Sequence, residues 1–147
     1  MDKYQHILVA VDFFEKCDAV VKRAKDVATN YQAKLSIIHV VDSLPMITAG
    51  YGADIPLNID LTTELMAEAK KRLHKLAVEL SVSEDNVWLE MGSPKTEIVR
   101  VAEENKVDLI VVGSHGRHGL ALLLGSTANG VLHHTRCDVL AVRLQDD

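Results

Sequence analysis

A glycine-rich stretch near the carboxyl end of the chain is the segment best suited to binding an anion. It runs from Gly113 to Gly125, contains four glycines, and is followed at once by Ser126 and Thr127. At glycine the main chain can turn with positive φ, and phosphate oxygens can approach its N–H groups closely. The two hydroxyl residues begin a predicted short helix, whose free N–H groups and dipole also favour an anion. The pattern therefore predicts a site for phosphate groups.

Two common phosphate-binding motifs are absent from the sequence. No Gly-Lys-Ser/Thr triplet ends the glycine stretch, so it is not a P-loop, and no G-x-G-x-x-G follows the first predicted strand. The glycines are therefore also compatible with chain reversal and close helix packing that need no ligand.

The elements that must position this stretch alternate along the whole chain. Short apolar runs predict strands at 6–11, 35–41, 87–91, 108–112 and 138–144. Apolar residues at helical spacing predict helices over 20–31, 61–80, from 94 onward, and over 126–135. Such alternation predicts the α/β class, an open five-stranded and mainly parallel sheet with helices on both faces, formed by one domain spanning 1–147.

Several local features refine this prediction. Ser93 is expected to cap the third helix, with Pro94 in its first turn, and Leu132 is expected on the buried side of the last helix. The stretch 42–60, which contains two prolines and two glycines, predicts a long loop.

Ligands of open parallel sheets bind beyond the carboxyl ends of the strands, where the winding direction reverses. Asp12 follows the first predicted strand, Val40 and Asp42 end the second, and Gly113 follows the fourth. Asp12 is therefore a candidate ligand residue, although aspartate also commonly begins a turn.

Composition excludes several classes of partner. The net charge is −5, from 21 acidic and 16 basic residues, and no basic run is present, so we expect no binding to nucleic acid or anionic membrane. No stretch has the length of a signal peptide core or a membrane helix, which predicts a cytoplasmic protein. Cys17 and Cys137 stand in no metal-binding or redox spacing and are expected to be reduced thiols.

Histidines are the remaining candidates for chemistry. His133 and His134 are adjacent on a helix and point in different directions, so these two are not expected to share one metal ion. They, with His115 and His118, are expected to be solvated or hydrogen-bonded surface histidines. His39, inside an apolar strand, is expected to be a hydrogen-bonded residue of the core or the sheet end.

The motifs Ile7-Leu-Val-Ala-Val-Asp12, His39-Val-Val-Asp42, Gly92-Ser-Pro94 and Asp108-Leu-Ile-Val-Val-Gly-Ser-His-Gly-Arg117 resemble the universal stress protein family over almost the whole chain. The opening and closing strands are most similar to its A-type branch. The resemblance implies a Rossmann-like or flavodoxin-like sheet and a homodimer formed through the last strand, 138–144. A long exposed sheet edge independently favours pairing with a second chain.

Members of that family that bind ATP carry the pattern G-x2-G-x9-G-S/T. By resemblance, the phosphate-binding residues are Gly113, Gly116, Gly125, Ser126 and Thr127, while Asp12, Val40 and Val112 line the nucleoside side. The implied ligand is ATP or AMP, with or without magnesium. Here, however, only eight residues separate Gly116 from Gly125. Either the loop accommodates this one-residue deletion and the site forms, or the site is closed and no nucleotide binds.

Three functions remain open from the sequence. The first is a nucleotide-binding regulatory dimer in the stress response, and the second is a nucleotide-free stress or adaptor dimer that acts through protein contacts. The third is a slow ATP hydrolase. No lysine follows the glycines and no general base stands out, so we expect no efficient catalysis and assign no catalytic residue.

Overall fold

The computed structural model describes residues 4–13, 17–42, 57–114 and 126–143. In these ranges five strands alternate with four helices. In chain order they are β1 His6–Ala10, α1 Asp18–Tyr31, β2 Lys34–Asp42, α2 Leu57–Leu80, β3 Val87–Gly92, α3 Pro94–Glu104, β4 Leu109–Gly113, α4 Ser126–His134 and β5 Asp138–Val142. A single 3-10 turn, Glu84–Asn86, precedes β3.

The strands form one parallel sheet in the order β3-β2-β1-β4-β5. The chain adds strands outward from β1 first in one direction and then in the other, so its winding reverses between β1 and β4. This confirms the predicted fold class.

Both faces of the sheet are covered, which explains why its central strands are almost continuously apolar. Along β1, Ile7 and Val9 pack with α1 and α2, whereas Leu8 packs with α3 and α4 on the opposite face. All three side chains are fully buried. Burial of each such side chain stabilises the fold by roughly 1.5–3 kcal/mol.

Three local predictions were wrong. Ser93 is at the N-cap of α3, but its side chain makes no capping hydrogen bond. Leu132 is 52% exposed, and Gly130 takes a buried position on α4 instead. The predicted loop ends early, because α2 begins at Leu57; the rest of it, 43–56, lies outside the described residues.

Among the described residues, no helix combines the length and the apolar character needed to cross a membrane.

Candidate functional site

The carboxyl ends of β1 and β4, where the sequence predicts a ligand crevice, lie side by side in the sheet. These strands pair in register, with Val9 opposite Val111, so they end at nearly the same level of the sheet. Asp12 follows β1 by two residues and is half-buried, and Gly113 ends β4. The winding reversal therefore brings a carboxylate and a glycine to the same edge.

The two valines predicted to line the nucleoside side lie along this carboxyl edge, in different environments. Val40 in β2 is half-buried and packs against the core formed with α3 and α4. Val112 is only 2% exposed. A molecule in the crevice would therefore meet the main chain of Val112 rather than its side chain.

Helix α4 begins at Ser126, as the sequence predicted, with Ser126 exposed and Thr127 half-buried. Ala128 and Val131 anchor the helix to the sheet. The first N–H groups of a helix have no partner within the helix, and its dipole makes this end positive. This end of α4 has the chemistry to accept an anion.

Part of the predicted phosphate cradle lies outside the described residues, namely Gly116 and Gly125. One donor at the start of the glycine stretch is already used by the protein, because the Ser114 N–H donates to the carbonyl of Val142 at 2.8 Å. Donors for an anion would therefore have to come from later in the stretch and from the first turn of α4.

His39 forms a hydrogen bond to the residue that follows β1. It is 8% exposed, and its Nδ1 donates to the Val11 carbonyl at 2.8 Å, which fixes the neutral tautomer. Burial lowers the pKa of His39, while the bond to Val11 and the Asp12 carboxylate act in the opposite direction. The prediction of a satisfied histidine at the sheet end is confirmed.

An arginine from α2 reaches the same region, which the sequence analysis missed. The guanidinium of Arg72 lies 5.7 Å from the centre of the Phe13 ring. It also donates to the Phe13 carbonyl at 3.5 Å, and the Phe13 ring lies 4.6 Å from that of His39. The contact joins residues 59 positions apart, so no local pattern could have indicated it.

Among the described residues, the candidates for metal or thiol chemistry do not come together in a site. In the described ranges no three His, Cys, Asp or Glu side chains come together in a way that could hold a metal ion. His133 is exposed, and the Nδ1 of His134 donates to the Gly130 carbonyl at 2.8 Å. Burial raises the pKa of both Cys17 and Cys137, which disfavours a reactive thiolate.

A separate cleft of about 670 Å³ lies at the opposite, amino edge of the sheet. Its lining includes Tyr4, Tyr31 and Asp138. The Tyr4 hydroxyl donates to the Asp138 carboxylate at 2.6 Å, and the two tyrosine rings meet edge to face at 5.0 Å. Because these groups already bond to one another, we regard the carboxyl edge as the better candidate site.

Comparison with known proteins agrees with the fold and the resemblance. The model of the universal stress protein family matches residues 3–143. Universal stress protein A homolog 2 of Coxiella burnetii is 44% identical over 146 residues, which cover 99% of each chain. Homolog 1 of the same organism is 39% identical, over 97% of this chain and 99% of that protein.

Solved structures give the same result. The hypothetical protein MJ0577, whose structure was used to assign its biochemical function, has a TM-score of 0.81 and 28% identity, over 99% of this chain and 100% of that one. A universal stress protein solved in complex with cAMP has a TM-score of 0.60 and 24% identity, over 96% of this chain and 98% of that one. The latter identity establishes a common fold only.

Proposed function

Because the chain belongs to the universal stress protein family, we propose that it is a regulatory homodimer of the stress response that binds ATP or AMP at the carboxyl edge of its sheet. The observation that best supports the proposal is the aligned ends of β1 and β4 at the reversal of winding. In open parallel sheets this is the place where ligands bind. Another protein of this fold was solved with cAMP, which is consistent with a nucleotide at this place.

The nucleoside would lie over the ends of β1, β2 and β4. Asp12 offers a half-buried carboxylate that can accept hydrogen bonds from ribose hydroxyls. Val40 adds apolar surface on one side, and the main chain at Val112 and Gly113 closes the other. Glycine at 113 leaves room for a ligand beside the strand end.

The phosphates would extend from the crevice towards α4, where Ser126 and Thr127 provide hydroxyls beside free N–H groups. Magnesium, when bound, would neutralise part of the phosphate charge, with Asp12 as the oxygen ligand on the protein side. The described residues offer no cluster of metal ligands of their own, so the ion would depend on the nucleotide.

Isothermal titration with ATP, ADP, AMP and adenosine tests the proposal. We expect binding tighter than millimolar and about a tenfold loss in Asp12→Ala, since a hydrogen bond to a charged group contributes about 1.5–3 kcal/mol. Asp26→Ala, which removes an exposed carboxylate from α1, is the matched control. If no adenine nucleotide binds below millimolar, nucleotide binding is excluded.

The occupied Ser114 N–H favours a second candidate, the nucleotide-free dimer that acts through protein contacts. A mass spectrum of small molecules released by acid from freshly purified protein separates the two. Stoichiometric adenine nucleotide would exclude the second candidate. We do not propose ATP hydrolysis, and we expect no turnover above the buffer control.

The homodimer would form along β5, which is the edge strand next to β4. The Val142 carbonyl faces β4, where it accepts from Ser114. Main-chain groups alternate in direction along a strand, so those of Ala141 face away from the sheet. Ala141 is also exposed, whereas Leu140 packs into the core.

Ala141→Pro therefore removes one outward N–H without breaking a bond to β4, and proline is tolerated in edge strands. We expect sedimentation equilibrium to show a dimer for the parent protein and for Ala141→Ser, and a weakened dimer for Ala141→Pro. If the dimer of Ala141→Pro has the same dissociation constant as that of the parent protein, the interface lies elsewhere.

A further inference from the structure

The side chain of a lysine from the neighbouring helix occupies the space beside a glycine in the middle of α4. Gly130 is buried, and a Cβ added there would lie 2.5 Å from Lys95 Cδ and 2.9 Å from Lys95 Cβ. Glycine inside a helix is less favourable than alanine by about 1 kcal/mol. The close contact with Lys95 gives a physical reason for glycine at this position.

The position of Lys95 directs its side chain towards the carboxyl edge. Lys95 follows Pro94, the first residue of α3, and helices that follow parallel strands run back from that edge. In a helix, Cα–Cβ bonds tilt towards the N-terminus and long side chains lie over the preceding turn. From its contact at Gly130, the aliphatic part of Lys95 is therefore directed towards the first turn of α4.

The distance along α4 fits this direction. Ser126 and Thr127 precede Gly130 by four and three residues, so they share its face of the helix. At a rise of about 1.5 Å per residue, Ser126 is only about 6 Å further along the axis. The tilt of the side chain therefore predicts that the ammonium group, beyond Cδ, lies between Gly130 and the start of α4.

No carboxylate in the described part of the chain forms an ion pair with the Lys95 ammonium. The nearest acid along α3, Glu97, is paired with Arg100 at 2.7 Å. Lys95 is exposed, so its charge can reach a molecule at the edge.

We propose that Lys95 is the cation that binds the phosphate tail of the nucleotide, the role that a lysine inside the glycine loop has in P-loop proteins. This rests on the proposed function, and it names a residue of α3, remote in sequence from the glycine stretch, as part of the same site. A lysine ammonium acts as a compact point charge towards phosphate. Affinity should therefore rise with the number of phosphates, from adenosine through AMP to ATP.

Titration of Lys95→Gln with ATP, AMP and adenosine tests the assignment. We expect about a tenfold loss of ATP affinity, a smaller loss for AMP and no change for adenosine, because only the charged contact is removed. Lys22→Gln, which removes an exposed lysine charge from α1, should leave all three affinities unchanged. Lys95→Arg should retain most of the preference for ATP over adenosine.

The variant Gly130→Ala tests the same assignment without replacing Lys95. Its methyl group would displace the side chain of Lys95, so the preference for ATP over adenosine should fall although α4 gains helix propensity. If the parent protein binds ATP and Lys95→Gln keeps the same preference, the assignment is wrong and the proposed function stands. If the parent binds no nucleotide, both are wrong.

Discussion

The two edges of the sheet are built in different ways. At the amino edge, the Asp108 carboxylate accepts from the main-chain N–H groups of Gln5 at 2.9 Å and His6 at 3.1 Å. The His6 ring donates from Nδ1 to the Asn105 carbonyl at 3.0 Å and accepts at Nε2 from the Ser36 hydroxyl at 2.6 Å. Side chains here close the starts of the strands.

At the carboxyl edge, the ladder ends in main-chain bonds, from Val11 N–H to the Ile38 carbonyl at 2.9 Å and from Ser114 N–H to the Val142 carbonyl at 2.8 Å. His39 adds one side-chain bond to Val11. Beyond these, the chain enters the connections 43–56 and 115–125, outside the described residues. The protein's own side chains therefore close the amino edge, whereas the carboxyl edge is where we propose that the nucleotide binds.

The largest expected effect comes from Asp108→Ala, which removes two charge-assisted bonds from the amino edge. We expect the free energy of unfolding to fall by about 2–3 kcal/mol in urea titrations, with nucleotide affinity unchanged. Asp12→Ala should do the reverse, with stability close to the parent and weaker binding. Equal stability of the two variants would contradict the division between the edges.

Acid should destabilise the protein through one buried histidine at each edge. Burial lowers the pKa of both His6 and His39 below the ordinary 6.5. Below that pH the unfolded chain takes up protons that the folded protein does not, so stability is complete above pH 6.5 and falls as the pH decreases. Each histidine contributes a slope of up to about 1.4 kcal/mol per pH unit.

Urea titrations of variants between pH 8 and 5.5 separate the contributions of the two histidines to the pH dependence of stability. Lys34 and Asp108 act in opposite directions on His6, as Arg72 and Asp12 do on His39. His6→Gln and His39→Gln should each remove part of the slope, since each variant removes one buried imidazole. A slope that survives in both variants would show that other groups cause the acid sensitivity.

The smallest effect is expected for Tyr4→Phe. The bond to Asp138 raises the pKa of Tyr4 to about 12, so its contribution is present below pH 10 and is lost as the pH rises through 12. Loss of a single exposed bond should cost less than about 1 kcal/mol. In an absorbance titration of the three tyrosines, the most alkaline phase should disappear in this variant. If it remains, the bond does not hold in solution.

The fold followed from local patterns because strands buried on both faces are apolar throughout. Predicted β1 differs from the observed strand by one residue, Val11. Helix α4 was found from Ser126 and Thr127, which follow a glycine and are its first two residues. Ala128 and Val131 are buried as predicted, but hydrophobicity also favoured Leu132, which is exposed, whereas the close approach of Lys95 requires the smallest residue at Gly130.

The contacts that the sequence did not indicate, at either edge of the sheet, join distant residues. Arg72 reaches Phe13 across 59 positions, and Tyr4 meets Asp138 across 134. Ser93 carries a suitable hydroxyl, yet its side chain forms no cap. Residue type alone therefore indicated where a ligand could bind, but not which side chains support that place.

The hydrogen bond from Ser114 to Val142 couples two parts of the molecule that were considered separately. The first residue after β4 is held by the last residue of β5, so the glycine stretch and the strand proposed for pairing share one amide. Deuterium exchange of the Ser114 N–H therefore reports on both the glycine stretch and the end of β5. If a bound nucleotide slows this exchange, the contact to the outer strand has become more stable as well. In the proposed homodimer, this hydrogen bond would link the ligand site to the strand that pairs the two subunits.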